Sequence, residues 1–157
     1  AVSLRRIAGT GPAPKVPNWS TRVRWGETDA GGFVFYPNYY AWFDQASHEF
    51  LDALGFPSAD WFNRQGIGMP LLEAHATFHR PLFFGDSITV VTWVENLSRK
   101  SFRLGHQVLK SDGTIAASGY EVRAWVQFRE SPAKAVPLPD ALREQLALYH
   151  RVSDQKS

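Results

Sequence analysis

The run Glu27-Thr28-Asp29-Ala30-Gly31-Gly32 sets a second carboxylate just ahead of a glycine pair, and Phe33-Val34-Phe35-Tyr36-Pro37-Asn38-Tyr39 follows at once. A carboxylate can attack an electrophile directly or can deprotonate a water. Gly31 and Gly32 let the chain turn tightly, which gives Asp29 access to a bound molecule. The partner of such a carboxylate is a group that stabilises an oxygen as it becomes negative. A helix start supplies this, with unpaired N–H groups and about half a positive charge. Pro37 lacks an N–H and suits the first helical position. The backbone N–H of Tyr36 is therefore the candidate oxyanion donor. An aspartate beside glycines is, in isolation, more often a turn residue. The whole run, from carboxylate to helix start, is what points to chemistry.

These groups need elements to hold them. Tyr39, Phe43, Ala46, Phe50 and Ala53 recur at helical spacing, with polar residues largely between them. The spacing predicts a helix over 37–54, closed by Gly55 and prevented from continuing by Pro57. "STRVRWGE" alternates and reads as a first strand, and "SADWFNRQG" as one short helical turn. "MPLLEAHATFHRPL" reads as extended. "DSITVVTWVENL" is apolar on both faces, as in a strand covered on both sides. Asp112-Gly113 is a two-residue hairpin signal between the next two strands. In the last strand Tyr120, Val122, Ala124, Val126 and Phe128 are expected to share a face. A terminal helix in "LPDALREQLALYHR" is expected to be capped by Asp140. One amphipathic helix on a mostly antiparallel sheet is an α+β two-layer domain. The helix cannot cover five strands, so a homo-oligomer is expected.

Composition narrows the classes. The chain has 157 residues, 44% of them hydrophobic, enough for one domain. It divides into a flexible leader (1–18), the domain (19–130) and a tail with a short helix (131–157). There is no cysteine, so disulfides, thiolate metal sites and cysteine nucleophiles are excluded, and a reducing cytoplasmic setting is expected. The net charge is only +2 despite a pI of about 9.1. That favours a local basic spot for phosphates over a nucleic-acid stripe. No run is long enough for a membrane span, and residues 1–20 lack the apolar segment of a secretion signal.

The motif Glu27 to Tyr39 and the element order together resemble the hot-dog fold acyl-CoA thioesterases of the 4-hydroxybenzoyl-CoA thioesterase type, over about residues 20–130. Glu27 stands where many members have Asp. Tyr36 stands where a branch linked to the Tol-Pal envelope system has His, which favours the aromatic-acyl branch. The resemblance implies a five-stranded antiparallel sheet around one long helix, assembled as a dimer or a dimer of dimers (a homotetramer). It implies hydrolysis of an acyl-CoA without cofactor or metal, with Asp29 and Tyr36 catalytic. Gly32, Phe33, Phe35 and Trp42 are candidate acyl-pocket residues, though at least half of the aromatics are expected to be plain core. Asp44 could bond a phenolic hydroxyl on the acyl group, but a solvated helix face or an interface ion pair is the preferred reading. "SRKSF", Ser98 to Phe102, resembles the family's basic turn. Arg99, Lys100 and Ser101 are the candidate CoA-binding residues, since cations suit its phosphates.

Other readings fare worse. On a strand His75 and His79 stand about 13 Å apart, at about 3.3 Å per residue, and cannot share a metal ion. H-E-x-x-H, G-x-S-x-G, P-loop and G-x-G-x-x-G patterns are all missing from the sequence. A hot-dog dehydratase would need a catalytic histidine, for which only His48 offers itself. A short-chain aliphatic thioesterase is the nearest alternative. A non-catalytic acyl-CoA sensor would keep the fold and the basic turn but would not need Asp29. Single-stranded nucleic-acid binding finds aromatics here but no clustered basic residues.

Overall fold

Pro37 and Gly55 bracket the long helix as their chemistry dictates. Proline opens it at the first helical position, and Gly55 takes the left-handed conformation (φ +89°) that ends it. The computed structural model describes residues 2–4 and 17–153. Most of the expected leader lies outside the described residues. In chain order the elements are β1 (Val2–Leu4), β2 (Asn18–Arg22), α1 (Pro37–Ala53), α2 (Ser58–Gln65), β3 (Ile67–Gly68) and β4 (Leu71–Phe78). There follow β5 (Ser87–Leu97), β6 (Ser101–Lys110), β7 (Ile115–Ala124), β8 (Val126–Gln127), β9 (Lys134–Ala135), α3 (Asp140–Ala147) and β10 (Arg151–Ser153).

The main sheet has the order β2-β5-β6-β7-β4, with every neighbouring pair antiparallel. The helix α1 lies across one face, giving the expected α+β domain. Its N-terminal half packs Tyr39, Trp42, Phe43 and Ala46 against Ile88, Val90 and Val108. Its C-terminal half packs Phe50, Leu51 and Leu54 against Phe102, Leu104 and Trp125. Each such large side chain contributes roughly 1.5–3 kcal/mol when fully buried. The segment after 130 does carry a short helix, and Leu138, Leu142 and Leu146 join this second cluster. β1 pairs with β10, and β3, β8 and β9 form a small separate sheet.

Four expectations change. The first strand ends at Arg22, because Trp25–Glu27 is a 3-10 turn whose Glu27 carboxylate bonds back to the Arg24 N–H. The hairpin after β6 has three residues between Lys110 and Thr114, which bond each other's backbone, with Gly113 at φ +86°. That is a turn closed by a left-handed glycine, not a two-residue loop. Asp140 is the first helical residue of α3 after the capping position of Pro139, and forms no side-chain cap. β7 stops at Ala124, so Val126 does not extend its face. The residues of β7 that meet α1 are Gly119, Glu121 and Arg123. A Cβ on Gly119 would lie 2.7 Å from the Phe43 ring and 2.1 Å from the His75 carbonyl oxygen, so only glycine fits there. The charged pair Glu121 and Arg123 is buried with hydrogen-bond partners on α1 and β6 and at the Met69 carbonyl, though the Arg123 Nε has none among the described residues.

Candidate active site

The loop from Glu27 to Tyr36 is a small closed hairpin. The Asp29 N–H donates to Phe33 O (2.9 Å) and the Gly32 N–H to Asp29 O (3.0 Å). Gly32 sits at φ +84°, a conformation other residues rarely adopt. The Asp29 Oδ1 accepts the Gly31 N–H at 2.8 Å, while Oδ2 has no partner among the described residues and the side chain is exposed. One oxygen of Asp29 thus closes the turn and the other is open. A Cβ on Gly31 would stand 3.2 Å from that Oδ1 and from the Phe33 ring.

Glu27 ties this hairpin to the helix. Its carbonyl accepts the Phe35 N–H (2.8 Å) and the Asn38 Nδ2 (2.9 Å). Its carboxylate accepts the Arg24 N–H and the Trp42 Nε1, both at 2.8 Å, with the Arg24 Nη2 at 3.3 Å. Burial pushes this carboxyl up, but the hydrogen bonds from Arg24 and Trp42 outweigh it and leave it below its ordinary value. At the helix start the Asn38 N–H is taken by Phe35 O and the Tyr39 N–H by Tyr36 O. The Tyr36 N–H has no acceptor among the described residues. The first turn of α1 carries no acidic side chain to neutralise its positive end.

Beside this N–H opens a cleft of about 310 Å³, lined by Phe33, Tyr36, Tyr39, Phe78, His79 and Arg80 among others. Tyr39 packs edge-on to Phe78 (4.9 Å) and Trp42 (5.1 Å), and burial pushes its hydroxyl up to about 12, so it stays neutral. Of the residues singled out in the sequence, Phe33 and Tyr36 line the cleft. Trp42 does not reach it: at 3% exposed it is core, and its indole N–H serves Glu27. Phe35 is exposed and packs on Tyr36 (5.3 Å). Phe78, His79 and Arg80 escape a reading of the sequence, because it is the register of β4 on β7 that carries them to the helix start.

Asp44 takes the ion-pair reading, within the chain. Its Oδ1 accepts the Arg123 Nη2 at 2.6 Å and lies 3.3 Å from the His48 Nε2. The other nitrogen of His48 bonds the Ser58 hydroxyl at 2.6 Å, so both ring nitrogens are engaged away from the cleft. That takes His48, the histidine the dehydratase reading offered, away from the cleft; the histidine that lines it is His79, whose Nε2 bonds the Ser118 hydroxyl at 2.8 Å. Arg123 continues inward to Glu121 (3.0 Å), which bonds Ser47 and His106 (3.1 Å), and His106 meets Thr92 at 2.9 Å and stacks on Phe43.

Arg99, Lys100 and Ser101 lie at the other end of the sheet. Arg99 is exposed, and the backbone of the turn is braced by Leu138 N–H to Arg99 O and Trp125 N–H to Lys100 O (both 2.9 Å). Arg143, on α3, donates to Ser98 O (2.7 Å) and Arg99 O (3.2 Å) and adds a third cation that the sequence reading missed. The register makes Leu71, at the start of β4, level with Arg123 and Phe102 beside this turn. Phe78, at its end, is level with Ala117 and Val108 beside the Tyr36 end. Within one chain the turn and the Tyr36 end are separated by roughly the length of α1, about 25 Å.

An antiparallel five-stranded sheet crossed by one long helix is the fold that the comparisons with known proteins also give. Residues 23–146 match the model of the thioesterase-like superfamily, and the chain belongs to that family. It is an acyl-CoA thioesterase of the hot-dog fold. The structure of a gentisyl-coenzyme A thioesterase is 41% identical with a TM-score of 0.74, covering 83% of this chain and 99% of the other. The structure of 4-hydroxybenzoyl CoA thioesterase from Pseudomonas sp. strain CBS-3 is 26% identical with a TM-score of 0.77, covering 84% and 99%. A 1,4-dihydroxy-2-naphthoyl-CoA hydrolase of Microcystis aeruginosa is 28% identical over 120 residues, 76% of this chain and 85% of the relative.

Proposed function

We propose that the chain hydrolyses an aromatic acyl-CoA to the free acid and CoA, with Asp29 as the reacting carboxylate and the Tyr36 N–H as oxyanion donor. The unpaired Tyr36 N–H, at a helix start with no acidic side chain in its first turn and beside an aromatic cleft, carries this reading. A thioester carbonyl oxygen seated there gains negative charge as the carbonyl carbon is attacked, and the helix end stabilises it. In one route the free Asp29 oxygen attacks, the C–S bond breaks with its electron pair leaving on sulfur, and water then opens the mixed anhydride. In the other, Asp29 takes a proton from the water that attacks. Both routes end with the same acid and thiol. The rings of Phe33, Tyr39 and Phe78 suit a flat acyl group, and relatives acting on gentisyl-, 4-hydroxybenzoyl- and dihydroxynaphthoyl-CoA support the aromatic class.

A homo-oligomer completes the site. β4 is an edge strand whose Leu71, Leu72 and Phe78 are exposed. Antiparallel pairing of two copies through it brings the Arg99–Lys100 turn of one beside the Tyr36 end of the other, where it can hold the CoA phosphates.

Thiol release from 4-hydroxybenzoyl-, benzoyl-, phenylacetyl-, acetyl- and a medium-chain acyl-CoA tests the reading. Asp29→Asn should stay folded and lose several orders of magnitude on an aromatic thioester. Equal rates for Asp29→Asn and wild type would sink the assignment of Asp29. Preferred turnover of acetyl-CoA would establish the aliphatic alternative. Tight binding of CoA esters without turnover would establish a sensor.

A further inference from the structure

We infer that Glu27 is the positioning residue of the reaction, the group that fixes Asp29 and the Tyr36 N–H relative to one another through the indole of Trp42. This rests on the reading of Asp29 and Tyr36 as the reacting pair. Three elements meet on this one residue. Its carboxylate holds the strand exit through Arg24 and the second turn of α1 through Trp42. Its carbonyl holds the end of the hairpin loop, two residues before the helix, through the Phe35 N–H and the first turn through the Asn38 side chain. Asp29 lies two residues beyond it, at the closing position of the hairpin, and Tyr36 lies between its two anchors, the Phe35 backbone N–H and the Asn38 side-chain amide. No hydrogen bond joins the two reacting groups directly, and beside the hairpin's own bonds it is Glu27 that ties the loop carrying Asp29 to the helix start carrying Tyr36. The side chain is buried, and its bond to Trp42 is wholly inside the core. Such a residue touches no substrate and alters the rate by geometry alone. A displacement of about 1 Å at a reacting pair can cost about a hundredfold.

The variant that reads this is Glu27→Gln, which keeps the shape but offers one oxygen where two N–H groups, of Arg24 and Trp42, need acceptors. It should lower kcat ten- to a hundredfold with KM for the preferred acyl-CoA within about twofold. Trp42→Phe keeps the ring in the core and removes only the donor, so it tests the same link should Glu27→Gln fail to fold. It should lower kcat about tenfold, and the two losses should not multiply in the double variant. A folded Glu27→Gln or Trp42→Phe protein with wild-type kcat, or a loss expressed in KM alone, would overturn the inference. Losses that multiply would overturn the route through Trp42. If Asp29→Asn retains activity, the reading beneath fails instead. An inactive Asp29→Asn beside a fully active Glu27→Gln sinks only the positioning role.

Discussion

Glu27 and Glu121 are both buried carboxylates that grip α1, and they do opposite things with their partners. Glu27 takes donors from backbone and side chains around the loop from 27 to 36, and the groups beside it, Asp29 Oδ2 and the Tyr36 N–H, have no partner among the described residues. Glu121, 1% exposed, sits in a closed set in which Ser47, His106, Thr92, Arg123 and Asp44 answer one another. Burial pushes the Glu121 carboxyl up, but the His106 hydrogen bond and the Arg123 charge prevail and hold it at about 2. A buried charge can thus prepare a neighbouring pair for chemistry or join a helix to a sheet. The difference lies in what stands beside it: near Glu27 the open groups belong to the exposed residues Asp29 and Tyr36, whereas the side chains around Glu121 are buried and bond one another, leaving the Arg123 Nε without a partner among the described residues.

The contrast breaks most readily at Arg123. Arg123→Ala leaves Glu121 buried with its nearest cation gone, which should cost about 3–5 kcal/mol. In a chain of this size that lowers Tm by about 10 °C or more. Measured well below that Tm, kcat should stay close to wild type, the reverse of Glu27→Gln. A loss of kcat at unchanged Tm would place the network in the reaction and erase the distinction.

Acid tests the same region with a smaller effect. The folded-state value of Glu121 lies below its ordinary 4.5, so its stabilisation is present above that value and is lost as pH falls toward 2. The contribution is about 3 kcal/mol. Denaturant titrations of wild type between pH 6 and 2.5 should show this loss, and Glu121→Gln, less stable at neutral pH, should show a shallower slope over the same window. Parallel slopes would mean that other carboxylates govern acid unfolding.

The two regions were unequally legible in the sequence. Around Glu27 the chemistry is local: Asp29, the glycines and Pro37 lie within a dozen residues, and proline and glycine announce the ends of the helix. Around Glu121 the partners are distant. Ser47 is 74 residues away and Asp44 lies 79 from Arg123. The alternation of Tyr120, Val122 and Ala124 shows that they share a face, but only the remote partners of Glu121 and Arg123 explain why the charged residues take the inward one. The cleft residues Phe78, His79 and Arg80 were hidden for the same reason, since sheet register brings them to the helix start.

The smallest effect concerns the Arg99 turn, which neither glutamate touches. Arg99→Ala with Lys100→Ala should raise KM several-fold for CoA thioesters and leave short thioesters without the nucleotide unchanged; equal effects on both would remove the phosphate role. Because the turn and the Tyr36 end lie at opposite ends of one chain, the pair also reports which chain supplies each part. Co-expressed with Asp29→Asn chains, the Arg99→Ala/Lys100→Ala chains should form mixed oligomers. In these, an intact Asp29 meets an intact turn from its partner, so a fraction of the sites should recover the wild-type KM. If the KM stays high in isolated mixed oligomers, both parts come from one chain, and pairing through β4 would no longer explain how CoA reaches Asp29.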